Sequence, residues 1–441
     1  MTNLQKKVTS AIAAGALLLQ VALPVLAQST TLVITGNGAE SDSDINVAQT
    51  TTTTVVQNNV ANISNDVDAD ADTGGNDANY NTGGAVSIDT GDASTGVAIS
   101  NTANSNTAEV KGCCETDVDV EISGNGWKSD NDANLKLSTS TDVFQNNYAK
   151  IKNDVDADSD TGDNDANYNT GGNVSVKTGD ADTAVLIDNK VNSNWAKIGD
   201  GSGGASVSLK ILGNGAESDN DINLAFARSL LLTQDNFASI KNDVDADADT
   251  GDNDANYNTG GSASIDTGDA TVGVAIDNMA NFNYADLDCG CILDVLAKVA
   301  GNGWDSDNDI NAALLDSKAA FQTNSYVCGR GGFPYPGGDQ LGLFEFPGFG
   351  GGYKDKACND VDADADTGDN DVKKNTGHPG VDPSIETGDA ATLVTVENTA
   401  NSNVLVEGGG SAFPELPDFD FNFDLGFNWL LWWGLLSGTG S

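Results

Sequence analysis

The residues best suited to chemistry in this chain are carboxylates, and they recur in one arrangement. Residues 242–261 read Asn-Asp-Val-Asp-Ala-Asp-Ala-Asp-Thr-Gly-Asp-Asn-Asp-Ala-Asn-Tyr-Asn-Thr-Gly-Gly, and near-copies begin at Asn65, Asn153 and Asn359. Val244, Ala246 and Ala248 alternate with Asp243, Asp245, Asp247 and Asp249, a period of two that predicts a strand with one acidic face. Carboxylates two residues apart on a flat strand stand about 6.6 Å apart, too far to share one ion unaided. A turn over 250–254 would fold the later acids back towards the earlier ones. Oxygen-only crowding of that kind suits hard cations, calcium above all. The candidate ligands are Asp68, Asp70 and Asp72 in the first copy and Asp156, Asp158, Asp160 and Asp163 in the second. Asp245, Asp247, Asp249 and Asp252 follow in the third, and Asp362, Asp364, Asp366 and Asp369 in the fourth. A solvated acidic face accounts for the same pattern without any ion.

The spacing Asp-x-Asp-x-Asp resembles the first half of an EF-hand loop, but Thr250 holds the sixth position, where that loop needs Gly, and no Glu closes it. The nonapeptide pattern of calcium-loaded β-rolls does not match either, because the Gly-Gly pair follows the acids. Catalysis has few candidates. The single His, His378, leaves Ser-His-Asp and Cys-His hydrolysis almost without members. Acids repeated four times read as structure or ion binding rather than as a glycosidase pair. Gly-Asn-Gly is followed by neither a helix nor Lys-Ser/Thr, so no phosphate loop is present. The chain is not expected to be an enzyme.

Six cysteines offer the remaining reactive groups: Cys113 and Cys114, Cys289 and Cys291, and Cys328 and Cys358. Without a CxxC pair or further histidines, disulfides are favoured over zinc. Cys328 and Cys358 flank an insertion and are expected to close it as a loop. Cross-linking between chains stays open for the vicinal pair.

What must position these groups is a long repetitive scaffold. Residues 1–27 are expected to be a secretory signal peptide, with Lys6 and Lys7, an apolar run from Ile12 to Leu23, and a small-residue cleavage site ending at Ala27. No other apolar run reaches the ~18 residues of a spanning helix. An exported protein at the cell surface or outside the cell is the expectation. The net charge is −46. It excludes nucleic acid and anionic membranes as electrostatic partners and favours divalent cations or basic surfaces.

Each repeat opens with Gly-Asn-Gly, at Gly36, Gly124, Gly213 and Gly301, a period of 88 or 89 residues. The expected division is 28–123, 124–212, 213–300 and 301–407, with a Gly/aromatic insertion at 329–357 and a tail at 408–441. Short alternating runs between frequent turn signals give all-β patterning. The fold expected is an extended β-solenoid of four ~88-residue repeats, each making several coils with Asn, Thr and Gly stacked at the corners. Four tandem β-sandwiches are the alternative. Large apolar residues are too sparse for four separate cores, which favours the solenoid. A two-repeat rhythm lies above the first: repeats 1 and 3 read Gly-Asn-Gly-Ala-Glu, while 2 and 4 carry Trp127 and Trp304.

Repeat 4 departs from the others. Lys373–Lys374 replace Asn-Tyr, and the insertion presents Phe333, Tyr335, Phe344, Phe346 and Phe349 among glycines. Such a segment suits either a cap or a contact loop. The tail alternates Phe, Leu and Trp with polar residues from Phe419 to Trp429, then runs through Trp432 and Trp433. It is expected to cover an end of the solenoid, pair with a second subunit, or anchor at an interface.

In composition and period, residues 32–407 resemble the long Asn/Thr/Asp-rich repeat proteins exported to bacterial cell surfaces, including β-solenoid adhesins. The resemblance implies adhesion or surface-layer roles, with cell-surface or matrix components as partners, and assigns no binding residue.

Overall fold

The computed structural model describes residues 13–24, 28–111, 116–199, 206–287, 294–328, 358–377, 380 and 382–406. The described residues form strands and turns, without helix. Repeat 1 carries β2 (Gln28–Thr35), β3 (Asp42–Asp72), β4 (Val86–Asp89) and β5 (Ala93–Lys111), preceded by β1 (Ala13–Pro24). Repeat 2 follows with β6 (Thr116–Ser123), β7 (Asp130–Asp160), β8 (Val174–Lys177) and β9 (Ala181–Ile198). Repeat 3 holds β10 (Ser206–Leu212), β11 (Asp219–Asp249), β12 (Ala263–Asp266) and β13 (Ala270–Leu287). Repeat 4 holds β14 (Asp294–Ala300), β15 (Asp307–Cys328), β16 (Asn359–Asp366), β17 (Ser384–Glu386) and β18 (Ala390–Val406).

Equivalent strands of successive repeats pair in parallel and in register. β3, β7 and β11 match residue for residue from Asp42↔Asp130↔Asp219 to Asp72↔Asp160↔Asp249. Four parallel sheets result, ordered β1-β5-β9-β13-β18, β2-β6-β10-β14, β3-β7-β11-β15 with β16 beside β11, and β4-β8-β12-β17. Each repeat is therefore one coil of a parallel β-solenoid. The all-β solenoid stands, and one detail of it is corrected: a repeat makes one wide coil, not several small ones. Thr50–Thr54 and the Gln57–Asn58–Asn59 stretch lie within a continuous 31-residue strand and not at a corner, as do their counterparts in β7 and β11. Such a strand spans roughly 100 Å, whereas the layers rise only about 4.8 Å each. The molecule is a slab far wider than it is tall.

Four apolar clusters line the space between the long-strand sheet and the sheets facing it, a fifth packs the short sheet β4-β8-β12 against Ala166 and Ala255, and each draws on several repeats. Val67, Val155 and Val244 meet Val97, Ile187 and Ile276 in one. Leu32, Val120 and Leu209 meet Leu135 and Leu224 in another. Cores shared across repeats rule out tandem independent sandwiches. Between the clusters run bands of buried amides. Gln145 Nε2 donates to Gln57 Oε1, and Gln234 Nε2 to Gln145 Oε1, both at 2.7 Å. Asn104, Asn192, Asn281 and Asn401 take left-handed backbone at a one-residue break in the ladder that every layer of the return sheet shares, with φ of 61–64°. Asn192 Nδ2 then reaches across the coil to the Phe237 carbonyl at 2.6 Å, which clamps the two sheets.

In repeat 4 the long strand is interrupted. β15 ends at Cys328 opposite Ile240, and β16 resumes at Asn359 opposite Asn242. The sulfurs of Cys328 and Cys358 pair across this gap, with Cα atoms 4.4 Å apart. The disulfide joins the two residues that flank the insertion and bridges the gap in an otherwise unbroken strand, as its flanking position suggested.

A candidate cation face on the long-strand sheet

Alternation in β11 buries Val244, Ala246 and Ala248 and turns Asp243, Asp245, Asp247 and Asp249 outwards. Parallel register then stacks these acids into columns. Asp68, Asp156, Asp245 and Asp362 form one; Asp70, Asp158, Asp247 and Asp364 the next; Asp72, Asp160, Asp249 and Asp366 the third. Along a column, carboxylates are separated by about 4.8 Å, closer than the ~6.6 Å along the strand. The approach that the sequence sought from a local turn comes instead from stacking of distant repeats.

The third column also has structural work. Asp160 Oδ1 accepts the Gly162 N–H at 2.7 Å, and Asp249 and Asp366 accept those of Gly251 and Gly368 at 2.6 Å. Thr161 Oγ1 donates to the Gly179 carbonyl at 2.9 Å and so ties this corner to the next one. Asp163, Asp252 and Asp369 hold the left-handed position just after that glycine, with φ of 52–57°. Cations of the chain itself are few here: Lys152 pairs with Asp154, and Lys241 with Asp243.

Crowding shows in the acidities. Burial, then the charges of Asp156, Asp247, Asp245 and Asp70, push the Asp158 carboxyl up to about 6. Asp249 is likewise pushed up to about 6, mainly by burial, with the Gly251 N–H opposing and Asp160 and Asp366 reinforcing. Asp245 and Asp247 are raised by burial first and then by acids both of neighbouring layers and of their own strand. Among the described residues no group of three or more His, Cys, Asp or Glu side chains converges as a preformed cage. The face is a set of parallel carboxylate ladders that concentrate negative charge along their length.

These raised pKa values give stability a defined pH dependence. The folded state holds protons more tightly than the unfolded chain, whose Asp titrates near 3.8. Stability is therefore gained as pH falls from about 6 towards 4 and lost as it rises through 6. The thermal midpoint in low salt without divalent cations is expected to rise by several degrees between pH 7.5 and pH 5. Salt at 1 M, which shortens screening to about 3 Å, should flatten that difference. A midpoint that falls on acidification would mean that the ionised acids are net stabilising.

One feature of the described surface went unread in the sequence. Tyr80, Tyr168 and Tyr257 stack at centroid distances of 5.0 and 4.7 Å. Their φ values of 57–60° are unusual for a large side chain, and ring stacking worth about 0.5–1.5 kcal/mol per pair offsets the cost. Lys374 continues the column, 4.6 Å from the Tyr257 ring centroid, and donates to Tyr257 Oη at 2.6 Å. The signal was the unchanged phase of Asn-Tyr-Asn-Thr-Gly-Gly in three repeats. Of the other candidate residues, Cys113, Cys114, Cys289, Cys291, Phe333, Tyr335, Phe344, Phe346, Phe349, Trp429, Trp432 and Trp433 lie outside the described residues.

Comparison with models of known families, with curated proteins and with solved structures finds no match. No helix among the described residues is long and apolar enough to cross a membrane.

Proposed function

We propose that this chain is a secreted or cell-surface structural and adhesive repeat protein whose body is a cation-stabilised acidic β scaffold. The observation that carries the reading is the register: the same acids, amides and tyrosines recur in layer after layer. Function in such a body resides in an extended repetitive surface rather than in one converging site, which is how scaffolds differ from enzymes. The expected leader peptide and the net charge of −46 suit an extracellular setting, where calcium is plentiful. Calcium bridging adjacent carboxylates would relieve repulsion that the protein otherwise bears in its folded state.

Adhesion is assigned to the aromatic loop of 329–357, rooted by the Cys328–Cys358 disulfide. Attachment of the purified chain to a cell-wall polysaccharide or matrix surface is the direct test. Replacing Phe333, Tyr335 and Phe349 together by Ser is expected to abolish retention while melting stays unchanged. Undiminished retention would remove the loop from the account. A calcium-binding or polyanionic matrix module is the second reading, favoured by the carboxylate columns. It requires ion capture to survive that same triple substitution with no attachment to lose.

A further inference from the structure

Among the described residues, both ends of the stack present open strand edges. At the N-terminal end lies β3, 31 residues long, and at the C-terminal end β15, 22 residues long, followed by β16. Rows of outward N–H and C=O groups on that scale are templates for pairing, and soluble proteins normally shorten or cover them. The C-terminal layer also leaves its apolar positions open. Val394 and Val396 are 42% and 40% exposed, whereas their partners one layer inside, Val274 and Ile276, are fully buried. Val299 is 48% exposed against 0% for Ile211.

We propose that the C-terminal layer is the docking face for the N-terminal layer of a second copy, so that chains stack head to tail into filaments. The seam would repeat the three seams already inside the chain. Ladder residues persist at both ends: Gln322, Asn324 and Asn403 at one, Gln57, Asn59 and Asn106 at the other. Their polarity matches. Asn59 Nδ2 donates to Asn147 Oδ1, Asn147 to Asn236, and Asn236 to Asn324, at 3.0–3.1 Å throughout. The next acceptor along that line is Asn59 Oδ1 of another copy. Repeat 4 followed by repeat 1 also preserves the two-repeat rhythm of Trp and Ala-Glu corners. On the far side of Lys374, Tyr80 of the incoming copy would complete a cation–π sandwich.

The N-terminal edge has a competitor within the chain. The backbone of β1 pairs with Asn101–Lys111 of β5. By the internal register, Asn398–Val406 of an incoming β18 would take that same stretch. Release of the leader segment therefore opens the acceptor edge, and assembly follows its removal.

The test uses the full chain with a protease site placed between Ala27 and Gln28, folded intact and then cut in millimolar calcium. Sedimentation velocity and negative-stain microscopy are expected to find unbranched filaments after the cut and far fewer before it. Val394→Lys with Val396→Lys should abolish growth while far-UV circular dichroism stays unchanged. Thr395→Lys, on the opposite face of the same strand, should leave growth intact. Should the double variant fail to fold, Val394→Pro replaces it. Ala270 N donates to the Asp389 carbonyl, so alternation along β18 points the Val394 N–H to the open side. A cut chain that stays monomeric at every concentration, in calcium and at pH 5 alike, overturns the proposal. If hydrogen exchange in that monomer also protects 390–406, the occupant is the chain's own aromatic tail. Filaments formed equally well by the lysine double variant overturn it too.

Discussion

Gly162→Ala is expected to destabilise the protein by about 3 kcal/mol or more, among the largest effects of any single substitution. An ideal Cβ at Gly162 would stand 2.2 Å from the Gly251 carbonyl oxygen and within 3.1 Å of two further Gly251 backbone atoms. Nothing there is a side chain that can turn aside. The two layers are held at this corner by Thr161 N to Asp249 O at 2.9 Å and Asp163 N to Gly251 O at 3.1 Å. Relief of the clash means lengthening both bonds. Because Gly74, Gly162, Gly251 and Gly368 stack on one another, one methyl wedges a seam that every layer shares. Gly38→Ala is the matched control, since nothing lies within 4 Å of its Cβ position. Urea denaturation should separate the two variants clearly, and equal midpoints would show that the layers are not seated as closely as described.

Asn153→Leu is the second large effect, expected to cost about 2–4 kcal/mol through orphaned buried amides. Asn153 is fully buried at the crossing of two ladders. Its Nδ2 donates to Asn242 at 2.6 Å and Asn189 at 3.2 Å, and its Oδ1 accepts from Asn65 at 2.7 Å and Asn101 at 3.1 Å. Leucine matches the volume and removes all four bonds. The loss should be non-additive. Once Asn153 is Leu, Asn189→Leu is expected to cost less than it does alone, because some of its partners are already gone. A double-mutant cycle checks this. Strict additivity would mean that the two ladders are not coupled.

Both substitutions fall on residues whose role the sequence half disclosed. The alternation of Val244, Ala246 and Ala248 with the acids fixes a strand and its outward face, and both are as expected. The 88-residue period implies stacking, and the scarcity of large apolar side chains implies a core shared between repeats. The width of the coil was not legible. Gln57, Asn59 and Asn65 sit at inward positions of β3, yet a polar residue inside a strand reads locally as a turn. Those amides are satisfied by partners 36 to 88 residues away, on the facing strand of the same coil and in the next layer, and no local pattern exposes such a bond. The acidic site was legible for the same reason in reverse. Its acids were identifiable one by one, but their closest neighbours lie in other repeats, not further along the same strand. The tyrosine column was hidden because a single Tyr among Asn and Gly carries no local period.

The scaffold reading stands or falls on whether the carboxylate ladders govern stability through the ions they attract. The measurement that tests this most directly is the thermal midpoint of the full chain, followed by far-UV circular dichroism, as calcium is titrated back after exhaustive chelation. The expected result is a saturable rise in midpoint at millimolar calcium or below at pH 7.5. The rise should shrink at pH 5, where protons already relieve Asp158 and Asp249. A midpoint indifferent to chelation, to calcium and to pH alike would contradict the account and leave the acidic columns as a solvated surface.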